Sequence, residues 1–244
     1  MEAAIELQNV SKRYKEKVVV SPMTLTIQRG ELFGLLGVNG AGKTTVLNML
    51  SGLVKPTTGD ALVLGHSIQS DLPSIRKVLA MSPQETSIAP NLSVRENLLL
   101  MARIHGFAKA QANDKTDALM AQFSLQPYEH ERGKKLSGGW QRKLSIAMAL
   151  IADPHILFLD EPTLGLDIIS RRELWAMIEK LKETTTIVLT THYLEEAESL
   201  CDRICIMKDG DVKALGTVDE LVAASAKQNF EEAFVHFVTG GEAR

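Results

Sequence analysis

The stretch Leu32-Phe33-Gly34-Leu35-Leu36-Gly37-Val38-Asn39-Gly40-Ala41-Gly42-Lys43-Thr44-Thr45 decides the fold. Its first part is a short, continuous apolar run, the pattern of a strand buried on both faces. Its second part matches G-x-x-x-x-G-K-S/T. It leads into Val46, Leu47, Leu50 and Leu53, spaced as one helical face, with Gly52 where a C-cap would end the helix. Strand, glycine loop and helix in this order are the context in which the motif holds phosphate. Gly37, Gly40 and Gly42 let the backbone curl until successive N–H groups face one anion, and the helix N-terminus adds its partial positive charge. Lys43 is then placed to reach the β- and γ-phosphates and the Thr44 hydroxyl to ligate Mg²⁺, with Asn39, Ala41 and Thr45 completing the loop.

Upstream, Ile5, Leu7 and Val10, then Val18-Val19-Val20 and Leu25-Thr26-Ile27, read as separate short strands divided by turn-like residues. Downstream, Ala61-Leu62-Val63-Leu64 is another strand. From Ser93 to Ala152 the pattern turns helical, with few β-branched residues across 96–102 and 108–122. Strands return at Ile156–Leu159, Thr186–Leu189 and Ile204–Met207, each after a helical stretch. Such alternation predicts a mostly parallel sheet with helices on its faces. The expected organisation is one α/β domain over 1–244. Residues 1–92 and 153–218 form the core with an N-terminal antiparallel β subdomain, 93–152 a helical insertion, and 219–244 a helical tail. In that tail Phe230, Phe234, Phe237 and Val238 recur at helix spacing, as for a small helix docked on the domain or on a partner.

Composition narrows the function. Of 244 residues, 27 are Lys or Arg and 30 are Asp or Glu, for a net charge of −3. This balance gives no general phosphate-neutralising surface, and 5% aromatics give no stacking platform, so no nucleic-acid partner is expected. No apolar stretch approaches the ~20 residues needed to span a bilayer, and the first residues lack the pattern of a signal peptide. Cys201 and Cys205 are too few for a disulfide scaffold and have no neighbouring histidine for a zinc site. These readings predict a soluble cytoplasmic chain without an anchor of its own.

Two further motifs carry chemistry. The apolar run Ile156-Leu157-Phe158-Leu159 ends in Asp160-Glu161. Alternation along a strand lets adjacent acids part in direction, so Asp160 can hold the Mg²⁺ shell while Glu161 faces an attacking water as general base. Leu136-Ser137-Gly138-Gly139-Trp140-Gln141 precedes a helix, and Ser137 with the two glycine backbones forms a second anion site at a helix N-terminus. One chain with one nucleotide has no use for two such ends. The pair implies a nucleotide sandwiched between two copies.

Together these residues resemble the ATP-binding subunit of an ABC transporter, from about Ile5 to Gly216, with the P-loop NTPase (RecA-like) α/β fold of that family. Gly37–Thr45 resembles its Walker A loop, Asp160 the end of Walker B, and Leu136–Gln141 the LSGGQ signature. The resemblance implies that Tyr14 stacks on adenine and that Gln84, in Ser82-Pro83-Gln84-Glu85, touches Mg²⁺ and water and couples to a membrane subunit. It also implies that Leu164-Gly165-Leu166-Asp167 crosses a dimer interface and that His192 stands near the γ-phosphate. Ser137, Gly138 and Gly139 would act on the opposite subunit's ATP. One departure is Trp140, at a signature position that is usually Gln, Met or Glu.

The resemblance further implies ATP and Mg²⁺, a second ATPase subunit (most simply a homodimer), and a separate transmembrane permease. The chain would then sit peripherally on the cytoplasmic side of the cell membrane. The run from Thr191 to Ile204 and the short Phe-rich tail are similar to ABC-2 type exporters. A soluble ABC ATPase of translation or DNA repair is the alternative, disfavoured by the single cassette and the lack of a heptad run. A P-loop kinase or GTPase is disfavoured by Ser137-Gly138-Gly139 and by the absence of an N-K-x-D motif.

Overall fold

The computed structural model describes residues 2–240; residues 241–244 of the expected tail lie outside the described residues. The chain runs β1 (Ala3–Tyr14), β2 (Lys17–Gln28), β3 (Leu32–Gly37), α1 (Lys43–Leu50), β4 (Thr58–Val63), β5 (His66–Ser67), α2 (Leu72–Val78) and β6 (Leu79–Ser82). A helical section follows, with α3 (Val94–Ile104), α4 (Lys109–Gln122) and α5 (Gly138–Leu150). The chain then returns through β7 (Ile156–Asp160), α6 (Ile168–Leu181), β8 (Thr186–Thr191), α7 (Leu194–Leu200), β9 (Arg203–Lys208) and β10 (Asp211–Gly216). It closes with α8 (Val218–Ser225) and α9 (Phe230–Thr239).

A six-stranded sheet has the order β10-β9-β3-β8-β7-β6, parallel except for β10; a four-stranded antiparallel sheet has the order β2-β1-β4-β5. This is the α/β core with an antiparallel β subdomain that the pattern predicts. Every residue of β3, β7 and β8 is buried because both faces of the large sheet are covered. Along β7, Leu157 and Leu159 enter the cluster shared with α5 and α6. Ile156 and Phe158 enter the one shared with α1 and the small sheet. The helical section packs on the first cluster through Leu98, Phe123 and Leu144. The tail docks on the domain through Leu221 and Phe230 against Leu36, Ile204 and Ile206. Among the described residues no helix is long and apolar enough to cross a membrane.

The structure departs from the sequence pattern in three places. Val18–Val20 and Leu25–Ile27 belong to one strand, β2, which Ser21-Pro22 does not break. The register jumps there from Lys12↔Val20 to Val10↔Met23, and the Ser21 N–H bonds outward to Gly210 O at 3.0 Å. Pro22 is tolerated because it sits in a bulge of the strand that ends the sheet. Leu53 does not share the buried face of α1. The helix is capped at Ser51, Gly52 takes φ +72°, and Leu53 is 68% exposed. Finally, β5, α2, β6 and β10 have no counterpart in the sequence reading; β6, for one, has four residues of which only Ser82 is buried, so no periodicity marks it.

Candidate nucleotide-binding site

Parallel pairing places the C-terminal ends of three strands side by side, with Leu36 opposite Thr191 and Asp160 opposite Thr190. The crevice beyond such strand ends is where doubly wound sheets bind ligands. The loop from Gly37 to Gly42 crosses it. Gly42, the N-cap of α1, takes φ +103°, and a Cβ there would stand 2.8 Å from Val19 O. Only glycine fits that turn and that close approach. With no side chain capping α1, its first N–H groups stay open toward the crevice.

The acidic pair sits opposite. Asp160 Oδ1 accepts from Thr44 Oγ1 at 3.0 Å and also from the Thr190 hydroxyl. Asp160 ends β7, whereas Glu161 lies beyond it with φ +48°, so a left-handed turn aims its carboxylate, where strand alternation was expected to. That conformation costs a non-glycine residue about 1–3 kcal/mol. It is held by Glu161 N–H donating to Thr190 O at 3.1 Å. The Glu161 carboxylate is 3.3 Å from Lys43 Nζ through Oε1 and 2.7 Å from His192 Nδ1 through Oε2. Lys43 Nζ also donates to Gly37 O at 2.7 Å. The His192 ring packs on Tyr193 at 4.2 Å, and the Arg171 guanidinium covers the Tyr193 ring at 4.6 Å.

A cleft of about 450 Å³ is lined by Asn39, Gly40, Ala41, Gly42, Lys43, Thr44 and Thr45, together with Gln84, Glu161, Leu164 and His192. Lys17 and Val19 of β2 complete the wall; the sequence reading named neither as a site residue. Tyr14 does not line the cleft. It pairs across the hairpin with Lys17 and is exposed, with Lys12 Nζ 4.7 Å from its ring centre.

Ser137, Gly138 and Gly139 are not brought to this cleft. Ser137 caps α5 by its backbone only, its side chain making no cap hydrogen bond, and both Ser137 and Gly138 are exposed. Among the described residues the only neighbour a Cβ at Gly138 would meet is Leu166, at 3.8 Å. Asp167 caps α6, accepting from the Ile169 and Ser170 N–H groups at 3.0 Å. Hydrogen bonds from Ser170 hold its carboxyl below the ordinary range. Trp140 turns into its own chain: its ring lies 4.6 Å from that of Tyr128 and 4.2 Å from Lys143 Nζ, which pairs with Glu173 at 2.8 Å. Gln141, next along, donates to Gly133 O and Leu136 O.

Two buried charged residues near the site escaped the sequence reading. Arg142 on α5 donates to the backbone carbonyls of Pro83 and Gln84. Glu196 on α7 is fully buried and accepts from Thr163 Oγ1 at 2.8 Å and Trp175 Nε1 at 3.0 Å. Burial pushes its carboxyl up against the pull of these hydrogen bonds. Burial likewise pushes the Cys205 thiol up to about 12, which makes it inert.

Residues 20–164, more than half the chain, match the family described as ABC transporter. The Nod factor export ATP-binding protein I of Burkholderia lata is 40% identical over 90% of this chain and 73% of its own length. The phospholipid-transporting ATPase ABCA3 of Homo sapiens is 41% identical over 88% of this chain, which spans only 13% of that protein. A solved ATP-binding subunit of an ABC transporter superposes with a TM-score of 0.85 at 29% identity, covering 96% of this chain and 99% of its own. A dimeric ATP-binding cassette bound to ADP and Pi, in a post-hydrolysis state, gives a TM-score of 0.79 at 26% identity, covering 87% and 98%. The chain belongs to the ABC transporter family, and its fold is that of the family's ATP-binding subunits.

Proposed function

We propose that the chain is the ATP-hydrolysing motor subunit of a membrane transporter, working in export. The observation that carries this reading is Glu161, a buried carboxylate in a left-handed turn between Lys43 and His192 at the mouth of a phosphate loop. On this reading the Gly37–Thr45 backbone and Lys43 bind the phosphates, and Tyr14 closes over adenine from the cleft edge. Thr44 and Asp160 present two hard oxygens side by side, and Gln84 lines the same cleft. That donor set suits Mg²⁺, which Thr44, Asp160 and Gln84 would hold. Bound there, the ion neutralises phosphate charge.

Glu161 accepts the proton of the attacking water, and His192 Nδ1 holds the carboxylate in its orientation. Gln84 positions the water from the opposite wall. Ser137, Gly138 and Gly139, with an unused hydroxyl and open helix N–H groups, complete the site of a second copy. ATP thus bridges two subunits, and hydrolysis removes the bridge: a two-state element biased by its ligand. The dimer acts on a separate transmembrane permease from the cytoplasmic face of the cell membrane. A relative named for Nod factor export supports the assignment to export, and one named for phospholipid transport supports transport.

The test is Glu161→Gln. ATP binding is expected to persist, turnover to fall ~10²–10⁴-fold, and a dimer to accumulate with ATP by size-exclusion chromatography with light scattering. Turnover near that of the parent chain would remove Glu161 as the base.

A further inference from the structure

The first turns of α5 hold a charge that this chemistry does not use. Arg142 is 4% exposed, and no carboxylate pairs with it among the described residues. Its Nη1 donates to Pro83 O at 2.6 Å and its Nη2 to Gln84 O. Burying a cation without a direct ion pair is costly, so a chain that keeps one derives something from it. Burial pushes the Arg142 pKa down, while the charge of Asp160 pulls it back. A planar fork meets two successive carbonyls at once; a lysine ammonium, a point donor, does not. One turn on, Ser145 Oγ lies 3.0 Å from Ser82 Oγ, both buried. Residues three apart share a helix face, so this face of α5 is bonded to Ser82, Pro83 and Gln84 in succession. The same helix begins at Ser137, and Gln84 lines the phosphate cleft.

We propose that Arg142 is a positioning residue that clamps the Pro83–Gln84 backbone to the signature helix, so that contact of Ser137–Gly139 with one nucleotide sets Gln84 at the other. The direction of this coupling rests on the sandwich reading above; the clamp itself does not. Arg142→Gln removes the fork and the charge, whereas Arg142→Lys keeps the charge and removes the fork. In the full chain without nucleotide, amide exchange over residues 82–87 is expected to quicken about tenfold in both variants, with β3 and β8 unchanged. With MgATP, kcat is expected to fall about tenfold with KM little changed.

If Arg142 acts through Gln84, adding Arg142→Lys to Gln84→Ala produces no further loss of kcat. Unchanged exchange over 82–87 in Arg142→Lys, or losses that multiply in the double variant, would overturn the proposal. Should Arg142→Gln fail to fold, Arg142→Lys carries every measurement. Exchange without nucleotide decides the clamp even if Glu161→Gln never forms a dimer, so the two readings fail separately.

Discussion

Two serines at helix N-caps, Ser93 and Ser137, show how this chain treats its helical section. Ser93 belongs to a complete capping box: its hydroxyl accepts from Glu96 N–H at 3.2 Å, and the Glu96 side chain accepts from Ser93 N–H at 2.8 Å. That helix end is satisfied within the chain. Ser137 has the same extended backbone, but the residue three along is Trp140, which packs on Tyr128, and the Ser137 hydroxyl makes no cap bond. A cap typically contributes ~1 kcal/mol, so forgoing it leaves donors free for something outside the chain. The phosphate loop is likewise uncapped at Gly42, but there the chain supplies the opposing residues itself, Asp160 and Glu161. One open helix end is furnished and the other is bare, which is the asymmetry expected of two half-sites.

Three substitutions probe this contrast. Ser137→Arg should have the largest effect: a long cation on the bare face is expected to lower ATP turnover at least ~10²-fold while one chain still binds ATP. Calorimetry beside a phosphate-release assay checks both, and undiminished turnover would mean that the face is not used. Trp140→Gln tests whether the unusual signature residue serves packing. Losing its contacts with Tyr128 and Lys143 should cost about 1–2 kcal/mol, or a fall in Tm of about 2–8 °C. An unchanged Tm would return Trp140 to the nucleotide face.

The smallest effect concerns Glu196. Its carboxyl is raised above the ordinary 4.5, so the folded chain holds a proton that the unfolded chain releases as pH rises past that value. The stabilisation is complete below pH 4.5 and is lost as pH climbs toward the folded value. Glu196→Gln has no such loss. Its Tm, measured against the parent, should therefore gain by a few degrees as pH rises above the ordinary carboxylate range; a difference that stays constant with pH would contradict the raised carboxyl.

Much of this was legible in the sequence where the cause is local. The apolar run from Leu32, the glycines after it and Lys43 specify strand, loop and helix among neighbours, and Ile156–Leu159 states its burial by having no polar break. The turn at Glu161 was not legible, because a glutamate at φ +48° is held by Thr190 on another strand. Nor were the contacts of Arg142, whose partners are backbone carbonyls about sixty positions away that no side-chain pattern reports. The continuity of β2 through Pro22 was hidden for a related reason: the bulge that accommodates it is set by the register against β1, where Lys12 faces Val20 and Val10 faces Met23. Local chemistry could be read from the sequence; what positions it required the tertiary structure.

The central claim, that each chain carries two unlike halves of two shared sites, is tested most directly by mixing. Lys43→Ala disables the phosphate loop and leaves the signature intact, and Ser137→Arg does the reverse. Each variant alone has both composite sites broken. A mixed dimer regains one, pairing the loop of the Ser137→Arg chain with the signature of the Lys43→Ala chain. Phosphate release should be negligible for either variant alone and should reappear on mixing, with one site working per mixed dimer. No recovery from two chains that fold and associate, or full activity of Ser137→Arg by itself, would contradict the account.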